Sequence, residues 1–483
     1  MLSILFIIPV IGSFILTLIS NENKIKIIAL ITSIITLGIS LILWVQFDDN
    51  FHEFQFVQEW STIGFCHFHI GIDGLSLFFI ILTTFITTIS ILASWSSINH
   101  NLKSFLISFL LLESFLIAVF IVLDLFLFYI TFESCLIPMT LILGVWGYQK
   151  RVRAAFYFFL YTLAGSLFML FSILGILSIT GTTDLQSLYL TEISTNAQYL
   201  IWLGFFLAFA VKTPIVPLHI WLPFAHVNSP LAGSIILAGV LLKLAIYGSL
   251  RILLPLLPDA TIYFTPLVYT LALISILYSS VATLRQIDIK AVIAYSSIAH
   301  MSVCLLGLFS NTVQGIEGAI FLSLSHGITS PALFILVTIL YNNHGTRILP
   351  YFRGMVTSMP IFCIIFFIFT LANCGTPLTA NFLGELLSFM GSFSINPIIT
   401  ALAGSSLILS AGYSFWLYGR ISFGQESPYL YNVRDLSRRE FFVLLPLLFL
   451  TFLFGLFPNI ILDSLHSSVS SLLINSPLPP RRN

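Results

Sequence analysis

Long apolar runs, separated by short polar connections, are the main pattern along this chain. A membrane-spanning helix needs about 20 mostly apolar residues, and the runs predict about fourteen such helices. Prolines and glycines interrupt the seventh and twelfth runs, so broken helices are expected there. The predicted spans are 2–20, 26–46, 72–95, 104–122, 125–147, 154–180, 197–222 (broken), 229–252, 262–283, 288–309, 315–341, 359–390 (broken), 396–420 and 441–462. The pattern predicts an all-α polytopic membrane protein.

Composition supports the same fold class. Of the 483 residues, 58% are hydrophobic and only 8% are charged, whereas a soluble domain has about 25% charged residues. Such a chain cannot cover a water-exposed surface, so most of its exterior must face lipid. The formal net charge of +0 excludes the broad basic face expected for nucleic-acid binding. The first run lacks a charged leader and a clear cleavage site, so we interpret it as the first span.

The distribution of basic residues predicts the orientation. When the connections between spans are numbered in order, acids dominate the even ones and Lys and Arg concentrate in the odd ones. Because Lys and Arg are retained on the non-translocated side, the odd connections should face the cytoplasm or matrix, and both termini the other side. Arg251, Arg481 and Arg482 do not fit this pattern. The basic residues that fit it are Lys24, Lys26, Lys103, Lys150, Arg151, Arg153, Arg285, Lys290, Arg347, Arg353, Arg420, Arg434, Arg438 and Arg439.

The two broken helices predict an internal repeat. Helices 7 and 12 are five apart, and corresponding interrupted helices in two halves are typical of inverted repeats with an ion site in each. We therefore predict two five-helix repeats, helices 4–8 and 9–13, the second inverted because five is odd. The predicted divisions are 1–100 (helices 1–3), 101–255 (first repeat), 256–425 (second repeat) and 426–483 (helix 14 and tail).

Ionisable residues inside the predicted spans are the candidate functional groups. Each charge at a helix centre costs roughly 2.5–3.5 kcal/mol or more, and such groups usually mark ion or proton pathways. For any single histidine a structural contact is an equally good interpretation, and for His226, near a membrane face, it is the better one. The charged candidates are Glu113, Glu133, Lys212, Lys243 and Glu385, and the histidine candidates are His219, His300 and His326.

Carboxylate, amine and imidazole groups together permit a proton relay, because burial and nearby charges change their proton affinities. Glu133 and Lys212 carry opposite charges, so an ion pair between them would offset the desolvation of both. Opening that pair would leave Lys212 without its counter-charge and drive a proton towards Lys243. The broken helix beside Lys212 fits this hypothesis, since unwound backbone at membrane depth must be buried in protein or line a watery cavity.

The chain shows no pattern for a metal, a disulfide framework or a redox cofactor. Its five cysteines, Cys66, Cys135, Cys304, Cys363 and Cys374, have no CxxC spacing and are interpreted as small apolar residues. There is no G-x-G-x-x-G after a strand and no P-loop.

Eight motifs in order resemble the antiporter-like subunits of proton-pumping NADH:ubiquinone oxidoreductase, respiratory complex I. The similarity runs from GIDGLSLFF at 71 to the end of the thirteenth helix. The motifs are LLLESFLIAVF, FYITFESCLIPM, FFLYTLAGS, AVKTPIVPLHIWLPFAHVNSP, AGVLLKLAIYG, LRQIDIKAVIAYSSIAHMS, LSHGITSPALF and NFLGELLSF.

The resemblance implies two inverted half-channels, joined by a hydrophilic axis in the membrane plane, and a role for each candidate residue. It implies that Glu133 is the switch glutamate, and that Lys212 and His219 are the lysine and the histidine of the broken seventh helix. It implies that Lys243 is the connecting lysine of the eighth helix, and that His300 and His326 are the central-axis histidines. It also implies that Glu385 is the acid of the broken twelfth helix near the exit route, and that Glu113 is a further acid of the fourth helix. This chain departs from the family pattern at Phe224 and at Asn228-Ser229. Those departures concern proton uptake at the membrane edge.

The resemblance also implies partners and location. Other membrane-arm subunits, including neighbouring antiporter-like subunits, and membrane lipids would contact the chain. NADH, FMN, iron–sulfur clusters and ubiquinone are expected in other subunits, and this chain itself is expected to bind no cofactor. The Phe-, Ile- and Ser-rich composition, with 47 Phe, suits a multi-pass protein of the mitochondrial inner membrane.

Three alternatives remain open from the sequence. A subunit of a multi-subunit sodium/proton antiporter shares the fold and most motifs, although LRQIDIKAVIAYSSIAHMS and the end-to-end length favour complex I. A haem-binding electron carrier would use pairs such as His219 with His226 or His300 with His326. A passive scaffold would not explain the five buried charges.

Overall fold

The computed structural model describes residues 1–60, 67–98, 100–429 and 434–475, and most of them are helical. The helices are α1 Leu2–Leu18, α2 Glu22–Gln46, α3 Gly74–Ala93, α4 Leu102–Ile121, α5 Leu125–Ser134, α6 Leu136–Trp146, α7 Arg151–Thr180, α8 Leu185–Tyr189, α9 Thr195–Lys212, α10 Trp221–Asn228, α11 Leu231–Ile236, α12 Lys243–Gly248, α13 Leu254–Leu256, α14 Pro258–Leu284, α15 Ile289–Leu308, α16 Val313–His344, α17 Met355–Ser358, α18 Pro360–Asn373, α19 Ala380–Ile395, α20 Pro397–Ser422, α21 Arg438–Leu456 and α22 Asn459–Asn475.

The polytopic helical fold predicted from the sequence is confirmed. Among the described residues, eleven helices are long and apolar enough to cross a membrane, and α1 and α18 are shorter apolar helices. One of the eleven, Leu231–Leu256, joins α11, α12 and α13 through two π-helical turns at Leu237–Leu241 and Ser249–Leu253. The total of fourteen spans and the inverted repeats stay predictions.

Both expected helix interruptions are present, at 213–220 and at 374–379. The second part of the seventh helix runs to Asn228, beyond the expected end at 222. It ends there because the residue before a proline is disfavoured in helix, and Ser229 precedes Pro230. The fifth predicted span also divides at Cys135, between α5 and α6.

Two short strands add to the helices in the second connection. Strand β1, Gln55–Glu59, pairs antiparallel with β2, His69–Ile72, with Gln55 opposite Ile72 and Glu59 opposite His69. Isolated bridges extend this layer, joining Ile70 to Val122 and Asp124 to Asp184. The sequence did not predict strands, because the segment is short and lies between apolar runs.

Contacts between connections follow the predicted parity. On the odd side, the Tyr148 amide donates to the Asn228 carbonyl at 2.8 Å, and Arg347 pairs with Asp288 at 3.8 Å. On the even side, His69 pairs with Asp184 at 3.0 Å. Connections of equal parity therefore meet on the same side of the bundle. Arg481 and Arg482 lie outside the described residues.

Small residues allow α16 and α19 to pack closely. A Cβ atom added at Gly318 would lie 2.4 Å from the Ser388 amide nitrogen, and one at Gly384 would lie 2.6 Å from the Leu322 backbone. Such small-residue contacts let helix backbones approach in a membrane protein. They bring Glu385, the residue after Gly384, towards the histidine-bearing helices α15 and α16.

Arg251, the basic residue that did not fit the parity, is neutralised by a buried ion pair. Its Nη2 and Nη1 atoms donate to the two carboxylate oxygens of Asp73 at 2.7 and 2.8 Å. Only 4% of Arg251 and 5% of Asp73 is exposed. Asp73 also caps α3, since its carboxylate accepts from the Ser76 amide. The pair ties the start of α3 to the end of the eighth helix on the even side.

We predict that Arg251→Met destabilises the protein by about 3–5 kcal/mol, because it leaves the Asp73 carboxylate buried without its partner. The thermal midpoint of the detergent-solubilised protein measures the effect. Asp73→Asn combined with Arg251→Met should recover much of the loss, since it removes both charges and keeps an N-cap residue. Arg285→Met, at an exposed arginine, is the matched control. Unchanged stability of the single Arg251 variant would contradict this account.

Candidate functional site

Four of the predicted site residues form a row of contacts in the interior. The Lys243 ammonium lies 3.0 Å from Nδ1 of His326. The His326 and His300 rings are 5.6 Å apart between centroids, and Nδ1 of His300 lies 2.9 Å from Oε1 of Glu385. All four residues are buried. The structure therefore brings the eighth, tenth, eleventh and twelfth helices together through ionisable side chains, a set called the central row below.

The hydrogen bonds around His326 fix the direction of donation. Nε2 of His326 lies 3.1 Å from the Ser297 hydroxyl, and that hydroxyl donates to the Ile293 carbonyl at 3.1 Å. Since Ser297 donates elsewhere, it accepts from Nε2–H of His326. Nδ1 of His326 is then free to accept from the Lys243 ammonium. One neutral tautomer of His326 thus satisfies both contacts.

Irregular backbone positions Lys243. The residue lies two positions after the end of the π-helical turn Leu237–Leu241, and its ammonium also donates to the Ala238 carbonyl within that turn. Because π-helical turns are rare and often occur at functional sites, the geometry around Lys243 is distinctive. No local pattern predicts this turn, since its residues are ordinary helix formers apart from Gly239.

The interruption at 374–379 makes room for Glu385. Gly375 has a φ of +68°, and a Cβ atom there would lie 2.5 Å from Oε2 of Glu385. Only glycine therefore allows both the left-handed turn and the carboxylate in its present position. Oε2 of Glu385 has no hydrogen-bond partner, and Nε2 of His300 has none either. We expected Glu385 near an exit route, and the structure shows its contact with the central row.

Lys212 and Glu133 do not form the expected ion pair in this structure. No ion pair within 4.0 Å joins them among the described residues, and both the Lys212 nitrogen and Oε1 of Glu133 lack a hydrogen-bond partner. The Lys212 ammonium instead lies 4.3 Å from the centroid of the Phe132 ring. An aromatic face attracts a desolvated cation by about 2 kcal/mol. The ring next to Glu133 in sequence thus holds the lysine.

The interruption at 213–220 is held by side chains on both sides. The Trp221 indole donates to the Val211 carbonyl at 2.9 Å, and the Val216 amide donates to the Ser275 hydroxyl at 2.9 Å. His219 lies within this segment, with its ring 5.3 Å from Tyr278 and its Nδ1 without a partner. None of the contacts of His219 joins it to the central row.

Glu113 is separate from the other candidates. It is fully buried on α4, and its Oε1 accepts from the Thr36 hydroxyl of α2 at 2.7 Å. The structure therefore groups the predicted residues as a central row, a Glu133–Lys212 pair without contact, and two isolated residues, His219 and Glu113.

Sequence reasoning missed two buried residues, Lys290 and His226. The sequence places Lys290 beside the ninth connection, yet it is fully buried and donates to the Ser229 carbonyl at 3.0 Å. Its seven-residue spacing to Ser297 places both on one face of α15, which was the available signal. His226, for which the sequence favours a structural contact near a membrane face, is fully buried, and neither ring nitrogen has a partner.

A cavity of about 680 Å³ opens on the odd side above these two residues. Phe224 and Asn228, where the chain departs from the family pattern, both line it. The Asn228 amide donates to the Phe224 carbonyl at 2.9 Å. The two departures therefore lie at the mouth of one cavity and are linked to each other.

Most ring nitrogens of the central row are already engaged and are therefore not free to bind haem iron. Both nitrogens of His326 and Nδ1 of His300 already contact protein groups. Within the described residues no group of three or more His, Cys, Asp and Glu side chains is arranged to hold a metal. Cys135, Cys304, Cys363 and Cys374 are free and buried, and Cys66 lies outside the described residues.

Two family models match the chain. The first, described as NADH:quinone oxidoreductase/Mrp antiporter, TM, matches residues 122–412. The second, described as NADH-ubiquinone oxidoreductase chain 4, amino terminus, matches residues 1–123. NADH-ubiquinone oxidoreductase chain 4 of Mycosarcoma maydis is 54% identical over 99% of this chain and 100% of its own length. The protein of the same name from Marchantia polymorpha is 51% identical over 98% of this chain and 97% of its own length.

Solved structures agree with these matches. A chain of respiratory complex I from Thermus thermophilus with bound NADH superposes with a TM-score of 0.91 at 29% identity, over 99% of this chain and 100% of that chain. A chain of the Mrp complex from Dietzia sp. has a TM-score of 0.86 at 18% identity, over 98% and 97%, which shows the shared fold alone. The resemblance found in the sequence is thus confirmed, and the chain belongs to the NADH-ubiquinone oxidoreductase chain 4 family, the antiporter-like, proton-pumping subunits of the complex I membrane arm.

Proposed function

We propose that the chain translocates protons in the membrane arm of NADH:ubiquinone oxidoreductase and that the central row carries them. The observation that supports this role is the row itself, in which Lys243, His326, His300 and Glu385 follow one another through buried contacts. A single closed ion pair would serve a structural role. Successive groups that can each bind and release a proton are typical of a pathway.

The proton moves along the row by exchange between neighbours. Lys243 and His326 share one hydrogen bond, so a proton on the lysine can pass to Nδ1 of His326 across 3.0 Å. At the other end, Nδ1–H of His300 donates to Glu385, which can accept the proton. The step between the two rings uses Nε2 of His300, which has no protein partner and can be reached through a bridging water.

Glu133 and Lys212 form the proposed switch, in its open state in this structure. With Lys212 on the Phe132 ring, the lysine has no counter-ion. Movement of the ammonium to Glu133 would close the ion pair and change the electrostatic field acting on Lys243. We include Glu113 and His219 among the proton-translocating residues as well, on positions that the family resemblance supplies.

The redox reaction belongs to other subunits in this proposal. The chain would bind no NADH, FMN, iron–sulfur cluster or ubiquinone and would contribute translocation to the enzyme. It would contact neighbouring antiporter-like subunits and lipids of the mitochondrial inner membrane. The divisions 101–255 and 256–425 would be its two half-channels, flanked by 1–100 and 426–483.

A multi-subunit sodium/proton antiporter is the second candidate, favoured by the Mrp fold match. A native gel stained for NADH dehydrogenase activity, with the chain identified by mass spectrometry, separates the two. We expect the chain in a very large active band from gently solubilised membranes. Its presence only in a smaller band without NADH activity would contradict the proposal and favour the antiporter.

We predict that Lys212→Ala strongly reduces proton-coupled quinone reduction while the complex still assembles. Alanine removes the switch cation, and the fold loses only a contact with one aromatic ring. Proton translocation per NADH oxidised is the measurement, and Lys24→Ala, at an exposed lysine, is the matched control. Normal coupled activity in an assembled Lys212→Ala complex would refute the role of Lys212.

We also predict that Gly375→Ala impairs proton translocation, and that it does so only by displacing the Glu385 carboxylate. The added Cβ atom would displace the carboxylate from its contact with His300, and the positive φ adds about 1–2 kcal/mol of backbone strain. Gly404→Ala, where a Cβ atom meets nothing within 4 Å, controls for a glycine change. Full coupled activity of the Gly375 variant would mean that the His300–Glu385 contact is not required.

A further inference from the structure

Polar side chains lie between the odd-side cavity and the central row. The cavity is bounded by the connections that precede α7 and α15 and by the connection that follows α16, and its lining includes Tyr148, Asp288, Tyr341 and Arg347. Arg347 lies over the Tyr148 ring at 4.6 Å and donates to the Val227 carbonyl at 2.6 Å. The floor of the cavity is therefore held by contacts among three connections.

Lys290 lies directly beneath this floor. Its ammonium is 5.0 Å from the Tyr148 ring centroid and donates to the Ser229 carbonyl at 3.0 Å and the Ser234 hydroxyl at 3.4 Å. No carboxylate lies within 4.0 Å of this ammonium among the ion pairs of the described residues. A fully buried lysine held only by neutral acceptors and a ring is expensive to keep for packing alone.

His226 is the next side chain between the cavity and the central row. Its ring stacks on Phe334 of α16 with centroids 4.6 Å apart and planes inclined by 9°. Both ring nitrogens are buried without a hydrogen-bond partner. The Ser234 hydroxyl, which accepts from the Lys290 ammonium at 3.4 Å, donates to the His226 carbonyl at 3.4 Å. His226 thus lies close to Lys290 across Ser234.

Hydroxyl groups complete this set of polar side chains. Ser330 is one turn from Phe334 on α16, and its hydroxyl lies 3.4 Å from that of Ser297 on α15. Ser297 contacts His326. Because an α-helix rises about 1.5 Å per residue, the seven residues from Lys290 to Ser297 cover about 10 Å, so the set is only two helical turns deep.

We propose that the cavity is the port through which the central row exchanges protons with the odd side, and that Lys290 and His226 carry them. Water in the cavity gives a proton to the neutral Lys290 amine, which becomes an ammonium. The ammonium returns to an amine as His226 takes the proton. The imidazolium passes it through the Ser330 and Ser297 hydroxyls to Nε2 of His326, once His326 has accepted a proton from Lys243 at Nδ1 and released its own Nε2 proton towards His300. His326 then returns its Nδ1 proton to Lys243, so both groups are reset. Each step moves one proton and leaves the donor ready for the next.

This port uses the second part of the broken seventh helix, α10, and does not pass through Lys212 or His219. Within the described part of the chain, neither of these two residues has a hydrogen bond or ion pair with the central row, whereas Ser297 touches it directly. The inference rests on the proposed proton-translocating function, because it assigns the uptake end of the same row.

The test compares variants of the assembled complex in its native membrane. Lys290→Arg keeps a positive charge and donors, but a guanidinium does not give up its proton. His226→Gln keeps polarity and approximate volume without a titrating ring. We expect both complexes to assemble and their proton-coupled quinone reduction to fall at least about tenfold, since a positioned proton carrier contributes about 10²–10⁴-fold. Lys24→Arg, at an exposed lysine, should leave the rate unchanged.

Lys243→Met, measured in parallel, separates the two proposals. Loss of activity in Lys243→Met together with full activity in Lys290→Arg and His226→Gln would overturn the port and leave the central row in place. Full activity in an assembled Lys243→Met complex would refute the central row itself.

Thiol labelling tests the port without altering either carrier. Thr346 lines the cavity, so a membrane-impermeant methanethiosulfonate reagent should modify Thr346→Cys from the odd side and reduce coupled activity relative to the unmodified parent treated in the same way. Complete modification with full activity, or modification only from the even side, would overturn the proposal.

Discussion

The cost of burying ionisable side chains in a lipid-facing bundle is the constraint on which the rest of the structure depends. The buried ionisable residues of this chain differ in how this cost is offset. Arg251 and Asp73 form a closed pair, with two hydrogen bonds and no unpartnered atom. Lys212, His300 and Glu385 each keep a buried polar atom without a partner. The unpartnered atoms of these three residues remain available to exchange a proton with water, whereas every polar atom of the Arg251–Asp73 pair is already engaged.

Irregular backbone lies next to the same charges. The interruption at 213–220 begins directly after Lys212. Only Leu242 separates the π-helical turn Leu237–Leu241 from Lys243. The interruption at 374–379 borders the helix that carries Glu385. Non-helical backbone at membrane depth is tolerated only where protein buries it or a cavity receives it. At the π-helical turn the charge satisfies such a backbone group, because the Lys243 ammonium donates to the Ala238 carbonyl.

Patterns along the chain predicted the helices, both interruptions and the residues of the central row, because apolar runs, prolines and intramembrane charges are local signals. Contacts between distant helices were not predictable in the same way. The spacing of His300 and Glu385 along the chain says nothing about their approach, which depends on Gly318 and Gly384 allowing α16 and α19 to pack closely. Lys290 lies beside a connection in the sequence, and a lysine two residues after a helix cap resembles a surface residue until tertiary packing covers it.

The open Glu133–Lys212 pair has a consequence for coupling across the subunit. In the proposed function, protons pass along the central row without helix movement, because two direct contacts and one bridging water would join its members. An influence from Glu133 on that row requires Lys212 to exchange the Phe132 ring for the carboxylate. A cation–π contact of about 2 kcal/mol is weak enough to be exchanged in this way, whereas breaking the buried Arg251–Asp73 pair would cost about 3–5 kcal/mol. The difference leaves the proposed switch mobile while the even side of the bundle, held by Arg251 and Asp73, stays fixed.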